Sequence, residues 1–215
     1  MFENVKTVIF DVDGTMVDSV HVWKTINTEF FGQFGILLDT ENMRQILSLG
    51  FDDAAEYCSR NYNIPYTANE VKNIWNEKGI EYYSKQVTLK DGFRELLENL
   101  KSNNFKIGVA TNNSKKIINF LFQKENILKK FDIILTSEDV QKRKPDPEMF
   151  VKIANHFGTE LNNCLVFEDS KTGMMAAKIV GMKVCAVLDK SLTSKNTEID
   201  SMVDYSITSF RELKI

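Results

Sequence analysis

Val8-Ile9-Phe10-Asp11-Val12-Asp13-Gly14-Thr15 is an apolar run that passes directly into two carboxylates two residues apart and then a glycine. Residues i and i+2 of an extended chain point to the same side, so Asp11 and Asp13 address one site at the carboxyl end of a strand. That edge is where open α/β sheets bind their ligands. Two close carboxylates repel, which favours either a bound hard cation or one carboxyl kept protonated, and both suit phosphate chemistry. Alone, Asp-x-Asp-Gly also fits an acidic turn after a strand, because Asp and Gly are common turn formers.

Outward from this segment, further short apolar runs at 107–110, 133–135, 165–167 and 184–188 alternate with segments of helical periodicity. Strands buried on both faces and separated by helices predict an α/β fold with a doubly wound parallel sheet of Rossmann-like type. The helix ends are marked: Ser114 as a cap, Pro147 as a first helical residue after Asp146, and Gly158 and Gly181 as stops. The interval after the first strand has no buried-strand pattern, and aromatics recur there at helical spacing, among them Trp23, Phe30, Phe31, Phe34, Tyr57 and Tyr62, then Trp75, Tyr82 and Tyr83. A structureless loop of that length is implausible in a compact domain. The expected division is a catalytic core of residues 1–15 and 90–215 with residues 16–89 inserted as a helical cap, the aromatic stripe serving as the cap's own core. The polar stretch 190–200 is the one weakly ordered candidate.

Composition narrows the function classes. The chain has 215 residues, 43% hydrophobic and 27% charged, with a net charge of −3. That is globular composition without the basic excess that drives nucleic-acid binding, so neither nucleic acid nor an anionic membrane is an expected partner. Three cysteines without CxxC spacing and the absence of a signal-like or membrane-spanning apolar run give a cytoplasmic expectation.

Three other segments end strands in polar residues. Thr111-Asn112-Asn113-Ser114 places hydroxyls and amides where a helix opens and can receive a phosphate. Arg143-Lys144-Pro145-Asp146-Pro147 puts cations on a proline-stiffened crossover. Glu168-Asp169-Ser170 ends a buried strand in two acids, one of which could complete an oxygen cage for Mg2+ with Asp11. The topology gathers all four segments into one cleft.

The motifs DVDGT, ATNN, KPDP and FEDS, in that order, resemble those of the haloacid dehalogenase-like hydrolase superfamily, and the resemblance covers nearly the whole chain. The insertion after the first motif matches a subclass I helical cap, and FEDSKTGMMAAKIVGMKVCAV is similar to the branch containing β-phosphoglucomutase and small phosphatases. The resemblance implies Asp11 as nucleophile, Asp13 as general acid and base, and Thr111, Asn112 and Lys144 as phosphate-binding groups, Lys144 also serving catalysis. It implies Mg2+ held by Asp11, the backbone carbonyl of Asp13 and Asp169, with Glu168 as a further or outer ligand. The expected reaction is hydrolysis of a small phosphate monoester, a sugar phosphate, through an aspartyl-phosphate.

A mutase is the alternative. The mutase histidine twelve residues after the nucleophile is replaced here by Trp23, with His21 nearby as a candidate substrate contact or helix-packing residue. The Lys-Gly-x-Ser-Arg run of the mutase cap has no match near residues 43–53, where Ser48, Gly50, Phe51 and Asp52 stand instead. Dehalogenation is disfavoured because Asp13 is present, a receiver module because the acids precede the helical insert, and a non-catalytic binding protein because the acids and Lys144 are intact. The cap is expected to stand across an open cleft that closes over substrate. Oligomeric state is not encoded in any motif.

Overall fold

The computed structural model describes residues 1–188, 199 and 201–215. Six parallel strands, β1 (Thr7–Phe10), β2 (Lys106–Ala110), β3 (Ile133–Leu135), β4 (Cys164–Glu168), β5 (Lys183–Val187) and β6 (Tyr205–Ile207), lie in the order β3-β2-β1-β4-β5-β6. The order reverses direction at β1, which pairs with β2 on one side and β4 on the other. This is the doubly wound parallel sheet the sequence predicts, and its switch point falls where Asp11 follows β1.

Alternation along β1 feeds two cores. Val8 and Phe10 join the cluster that includes Phe93, Leu97, Ile117 and Ile118, on α5 (Phe93–Ser102) and α6 (Lys115–Lys124). Ile9 joins Met149, Phe150 and Ile153 of α7 (Glu148–Phe157) and Met174 of α8 (Lys171–Ile179) on the opposite face. Phe10 and Phe167 stack with centroids 4.9 Å apart, locking β1 to β4. Cys58, Cys164 and Cys185 are free and buried, the last two inside β4 and β5.

Between β1 and α5 the chain forms α1 (Val20–Gly32), α2 (Thr40–Ser48), α3 (Phe51–Asn61) and α4 (Ala68–Gln86). Asp39 caps α2 by accepting from the Asn42 amide at 2.7 Å, and Thr67 with Glu70 forms a capping box on α4. The crossing chains run together: Val17 bridges both Asp13 and Leu89, and the Lys90 amide donates to the Met16 carbonyl. Lys124 of α6 donates to the carbonyls of Tyr83 and Val87, fastening the end of α4. The apolar interior of these helices, including Phe30, Phe31 and Ala55, is continuous with that of the sheet.

Two readings of the sequence shift. Pro147 is the cap of α7 rather than its first residue, whereas Ser114 and Gly158 cap as expected. The strand β6 carried no recognised signal, being three residues with only Ile207 buried. The stretch 190–200 lies outside the described residues except for Ile199.

Gly108 in β2 passes beneath α7, where a Cβ would lie 2.7 Å from Ile153 Cγ2. Gly108→Ala is expected to cost about 1–3 kcal/mol by overpacking. Urea unfolding checks this, and an unchanged midpoint and slope would contradict the packing described.

Candidate active site

The ladder between β1 and β4 continues one residue past β1, because the Asp11 amide donates to the Phe167 carbonyl at 3.0 Å. Asp11 thereby stands level with Glu168, the last residue of β4. Between them sits Lys144, buried, with Nζ 2.7 Å from both Asp11 Oδ1 and Glu168 Oε2. The Lys144 loop is held by Asn112, whose amide group donates to the Lys144 carbonyl and accepts from the Lys144 amide, each at 3.2 Å. Asp169 accepts from the Thr15 hydroxyl at 3.1 Å. Glu168 also accepts from the Ser170 hydroxyl at 2.8 Å.

Two glycines permit this crowding. A Cβ at Gly14, whose φ is +80°, would lie 2.0 Å from Asp169 Oδ2, and one at Gly173 would lie 2.1 Å from Glu168 Cδ. Position 14 therefore needs glycine both for its left-handed backbone and for the approach of a carboxylate.

Among the described residues, Asp11, Glu168 and Asp169 form the grouping whose ligand oxygens lie within 4.8 Å of one another. Burial first, then the charge of Glu168, holds the Asp11 carboxyl well above the usual carboxylate range, against the pull of Lys144. Burial and then Glu168 push Asp169 up to about 7. Burial opposes the Lys144 ammonium, but Asp11 and Glu168 outweigh it and raise its pKa. With all three carboxyls ionised, one ammonium would leave two negative charges in this buried, oxygen-rich site, an excess that a hard divalent cation such as Mg2+ would balance.

Asp13 occupies different surroundings. Its Oδ1 accepts from the Ser19 hydroxyl at 2.6 Å, the Trp23 indole N–H at 3.3 Å and the Tyr83 hydroxyl, while Oδ2 accepts from the Asn113 amide at 2.7 Å. Burial and then the Asp13 charge keep the Tyr83 phenol well above its usual range. The Asp13 side chain is thus committed to four donors and stands outside the acid cluster.

A cavity of about 490 Å3 joins these groups, lined at one end by Asp11, Asp13, Thr111, Lys144 and Asp169. The Thr111 hydroxyl accepts from the Asn113 amide at 3.1 Å. The four sequence motifs therefore converge. Asn112 lines the cavity but spends both polar ends on the Lys144 backbone, and His21 stands outside it, pairing with Asp18 at 3.7 Å on the surface.

The helices over the cavity touch the sheet side at several points beside it. Beyond the bonds to Asp13, the Phe51 amide donates to the Asn112 carbonyl at 2.9 Å, and Arg143 pairs with Asp53 and, at 3.5 Å, with Asp52. Sequence reasoning missed Ser19, Tyr83, Asn113 and Arg143 as contacts. Only Asn113 and Arg143 lay inside quoted motifs, whereas Tyr83 reaches Asp13 across 70 residues of chain. Within the aromatic stripe, Phe30 packs against Phe31 and Trp75, and Phe31 against Tyr62, while Trp23 and Trp75 also line the cavity.

This sheet and strand-end site define a class that comparison with known proteins identifies. The chain belongs to the haloacid dehalogenase-like hydrolase family, whose sequence pattern matches residues 8–187, and it is a hydrolase. It is 25% identical over 178 residues to the phosphorylated carbohydrates phosphatase of Thermotoga maritima, covering 83% of this chain and 82% of that one. Its fold matches CbbY from Rhodobacter sphaeroides in complex with phosphate, with a TM-score of 0.84 and 21% identity over 97% of this chain and 96% of the other. It also matches β-phosphoglucomutase from Clostridium difficile, with a TM-score of 0.81 and 23% identity over 98% and 94%.

The raised pKa of Asp169 has a consequence for stability. A carboxyl whose folded pKa exceeds its unfolded one favours the folded state below the unfolded value and loses that contribution as pH rises through the folded value, here between 3.8 and about 7. Metal-free protein is expected to melt lower at about pH 8 than at about pH 5, with Mg2+ raising Tm more at the higher pH. Calorimetry with and without chelator checks this; an Mg2+ effect equal at both values would contradict the site described.

Proposed function

We propose that this hydrolase is a Mg2+-dependent phosphatase that cleaves a small phosphate monoester through an aspartyl-phosphate on Asp11. The observation that carries this reading is the Lys144 ammonium 2.7 Å from Asp11 in a buried acid cluster at the sheet's switch point. Uncatalysed monoester hydrolysis is very slow, so phosphoryl charge must be neutralised before a carboxylate can approach phosphorus. Asp11, Asp169, the Asp13 carbonyl and Glu168 would hold Mg2+, which supplies charge stabilisation to the phosphoryl oxygens. Glu168, already bonded to Lys144 and Ser170, suits the outer position.

In this mechanism Lys144 and Thr111 orient the phosphoryl group. An Asp11 carboxylate oxygen attacks phosphorus, forming the acyl-phosphate bond as the ester P–O bond breaks, and protonated Asp13 gives its proton to the departing oxygen. Asp13, now ionised, takes a proton from water as that water attacks phosphorus, which releases phosphate and restores Asp11. Its four donors suit the ionised form in the second step, and Asn112 holds the Lys144 loop in place.

Residues 16–89 serve as the cap in this reading, and residues 1–15 and 90–215 as the core. The relative from Thermotoga supports a phosphorylated carbohydrate as the substrate class. Hydrolysis is favoured over phosphoryl return to a sugar because the cavity's cap side is largely apolar, with Arg44, paired with Glu41 at 2.6 and 3.0 Å, the one cation among its described lining residues. The reduced, buried cysteines support a cytoplasmic setting, the net charge of −3 supports the exclusion of nucleic acid, and no described helix is long and apolar enough to cross a membrane.

Phosphate release from a panel of sugar phosphates is expected to require Mg2+ and to fall roughly a thousandfold or more in Asp11→Asn. Release that survives the substitution would overturn the nucleophile. Conversion of β-glucose 1-phosphate to glucose 6-phosphate only with a bisphosphate primer, without net release, would replace the phosphatase with the mutase.

A further inference from the structure

Tyr83, near the end of α4, is buried where the inserted helices meet the first two strand-end motifs. Its hydroxyl oxygen lies 3.1 Å from the Trp23 indole nitrogen and 3.1 Å from the Asn113 side-chain nitrogen, and bonds to Asp13 Oδ1. An indole nitrogen only donates. The Asn113 amide is oriented by its other end, because Asn113 Oδ1 accepts from the Ser114 amide at 2.7 Å, so its nitrogen donates as well. These two N–H groups occupy both lone pairs of the phenol oxygen, and its one proton is left with Asp13 as acceptor. The direction of the Tyr83–Asp13 bond is therefore set by its neighbours.

Contacts with α6 hold Tyr83 in this place. Lys124 donates to the Tyr83 and Val87 carbonyls. Gly79, one turn before Tyr83, lies so close to α6 that a Cβ there would stand 2.5 Å from Ile117 Cδ1, and Asn76 accepts from the Ser114 hydroxyl. The second half of α4 is thus seated on the core, and the phenol rides on that seated half.

The two oxygens of Asp13 are consequently unequal. Oδ1 meets three donors, Ser19, Trp23 and Tyr83, whereas Oδ2 meets one, Asn113. A carboxyl oxygen offers two lone pairs, so Oδ1 has none to spare for a proton and Oδ2 keeps one. Donors fixed in advance act most strongly where charge develops during the reaction. As a proton leaves Oδ2, negative charge spreads onto Oδ1, where Tyr83 already donates.

We propose that Tyr83 is a positioning residue for proton delivery: it holds Asp13 by Oδ1, leaves Oδ2 as the oxygen that passes the proton, and stabilises the carboxylate formed as the ester P–O bond breaks. This rests on the phosphatase reading and deepens it. In that step the Asp11–phosphorus bond forms, the ester P–O bond breaks, and the Oδ2 proton moves to the departing oxygen. Tyr83 keeps its own proton and acts through Asp13, being no part of the cavity lining.

The test is the leaving-group dependence of full-length Tyr83→Phe with Mg2+. A sugar phosphate departs as a basic alkoxide that needs the proton, whereas p-nitrophenyl phosphate departs as a stable anion that needs little of it. For a hydrolysed sugar phosphate, kcat/KM is expected to fall roughly tenfold or more, the worth of a hydrogen bond to a charged group, and for p-nitrophenyl phosphate by less than about threefold. Ser19→Ala removes another Oδ1 donor without touching α4 and is expected to shift the ratio of the two esters in the same direction. A smaller folded fraction lowers both rates alike and leaves that ratio unchanged. A ratio unchanged in Tyr83→Phe, or in Ser19→Ala should the first variant fail to fold, would overturn the positioning role and leave the phosphatase standing. No phosphate release from any ester by the unsubstituted enzyme would overturn the phosphatase and this inference with it.

Discussion

The structure turns on one buried ammonium. Lys144 lies between Asp11 and Glu168 at 2.7 Å from each, with Asp169 alongside, where charges removed from water need compensation. Each partner is delivered by a different strand end, so the pairing requires β1 and β4 in register, as the Phe10–Phe167 alignment provides. It also requires the Asn112 clamp on the Lys144 loop and glycine at 14 and 173, where side chains would strike the acids. Packing, turn geometry and electrostatics thus converge on a site whose excess negative charge suits a divalent cation.

The two aspartates of the first motif show how environment separates like groups. Asp11 stands among acids and one lysine, whereas Asp13, two residues on, faces only hydrogen-bond donors from Ser19, Trp23, Tyr83 and Asn113. Different surroundings separate the proton affinities of like carboxyls, and in the proposed mechanism Mg2+ held at Asp11 would favour its ionised form. Three of those donors come from the segment between β1 and β2, so the arrangement at Asp13 depends on how that segment seats on the sheet. The same segment also supplies Trp23, Phe51 and Trp75 to the lining of the cavity.

Much of this was legible in sequence because it is local. Apolar runs, a hydroxyl at Ser114 and a glycine at 158 specify strands and helix ends within a few residues of themselves, and the strand-end motifs need only a parallel sheet to meet. What was not legible is long-range or set by marginal signals. Tyr83 and Trp23 read as members of one hydrophobic stripe, since periodicity does not distinguish a ring that packs from one whose N–H or O–H reaches a carboxylate. Amides suit both anions and backbone, so the sequence does not reveal that the Asn112 side chain bonds to the Lys144 backbone. Short β6 lacked the buried run that identifies its neighbours.

The central claim is that Asp11 carries the phosphoryl group. Its most direct test is rapid acid quenching of enzyme turning over a hydrolysed phosphate ester, followed by peptide mass spectrometry. The account predicts a transient phosphoryl adduct on the peptide bearing Asp11, formed before steady-state release and sensitive to hydroxylamine. An adduct on any other residue, or turnover with no covalent species at any quench time, would contradict it.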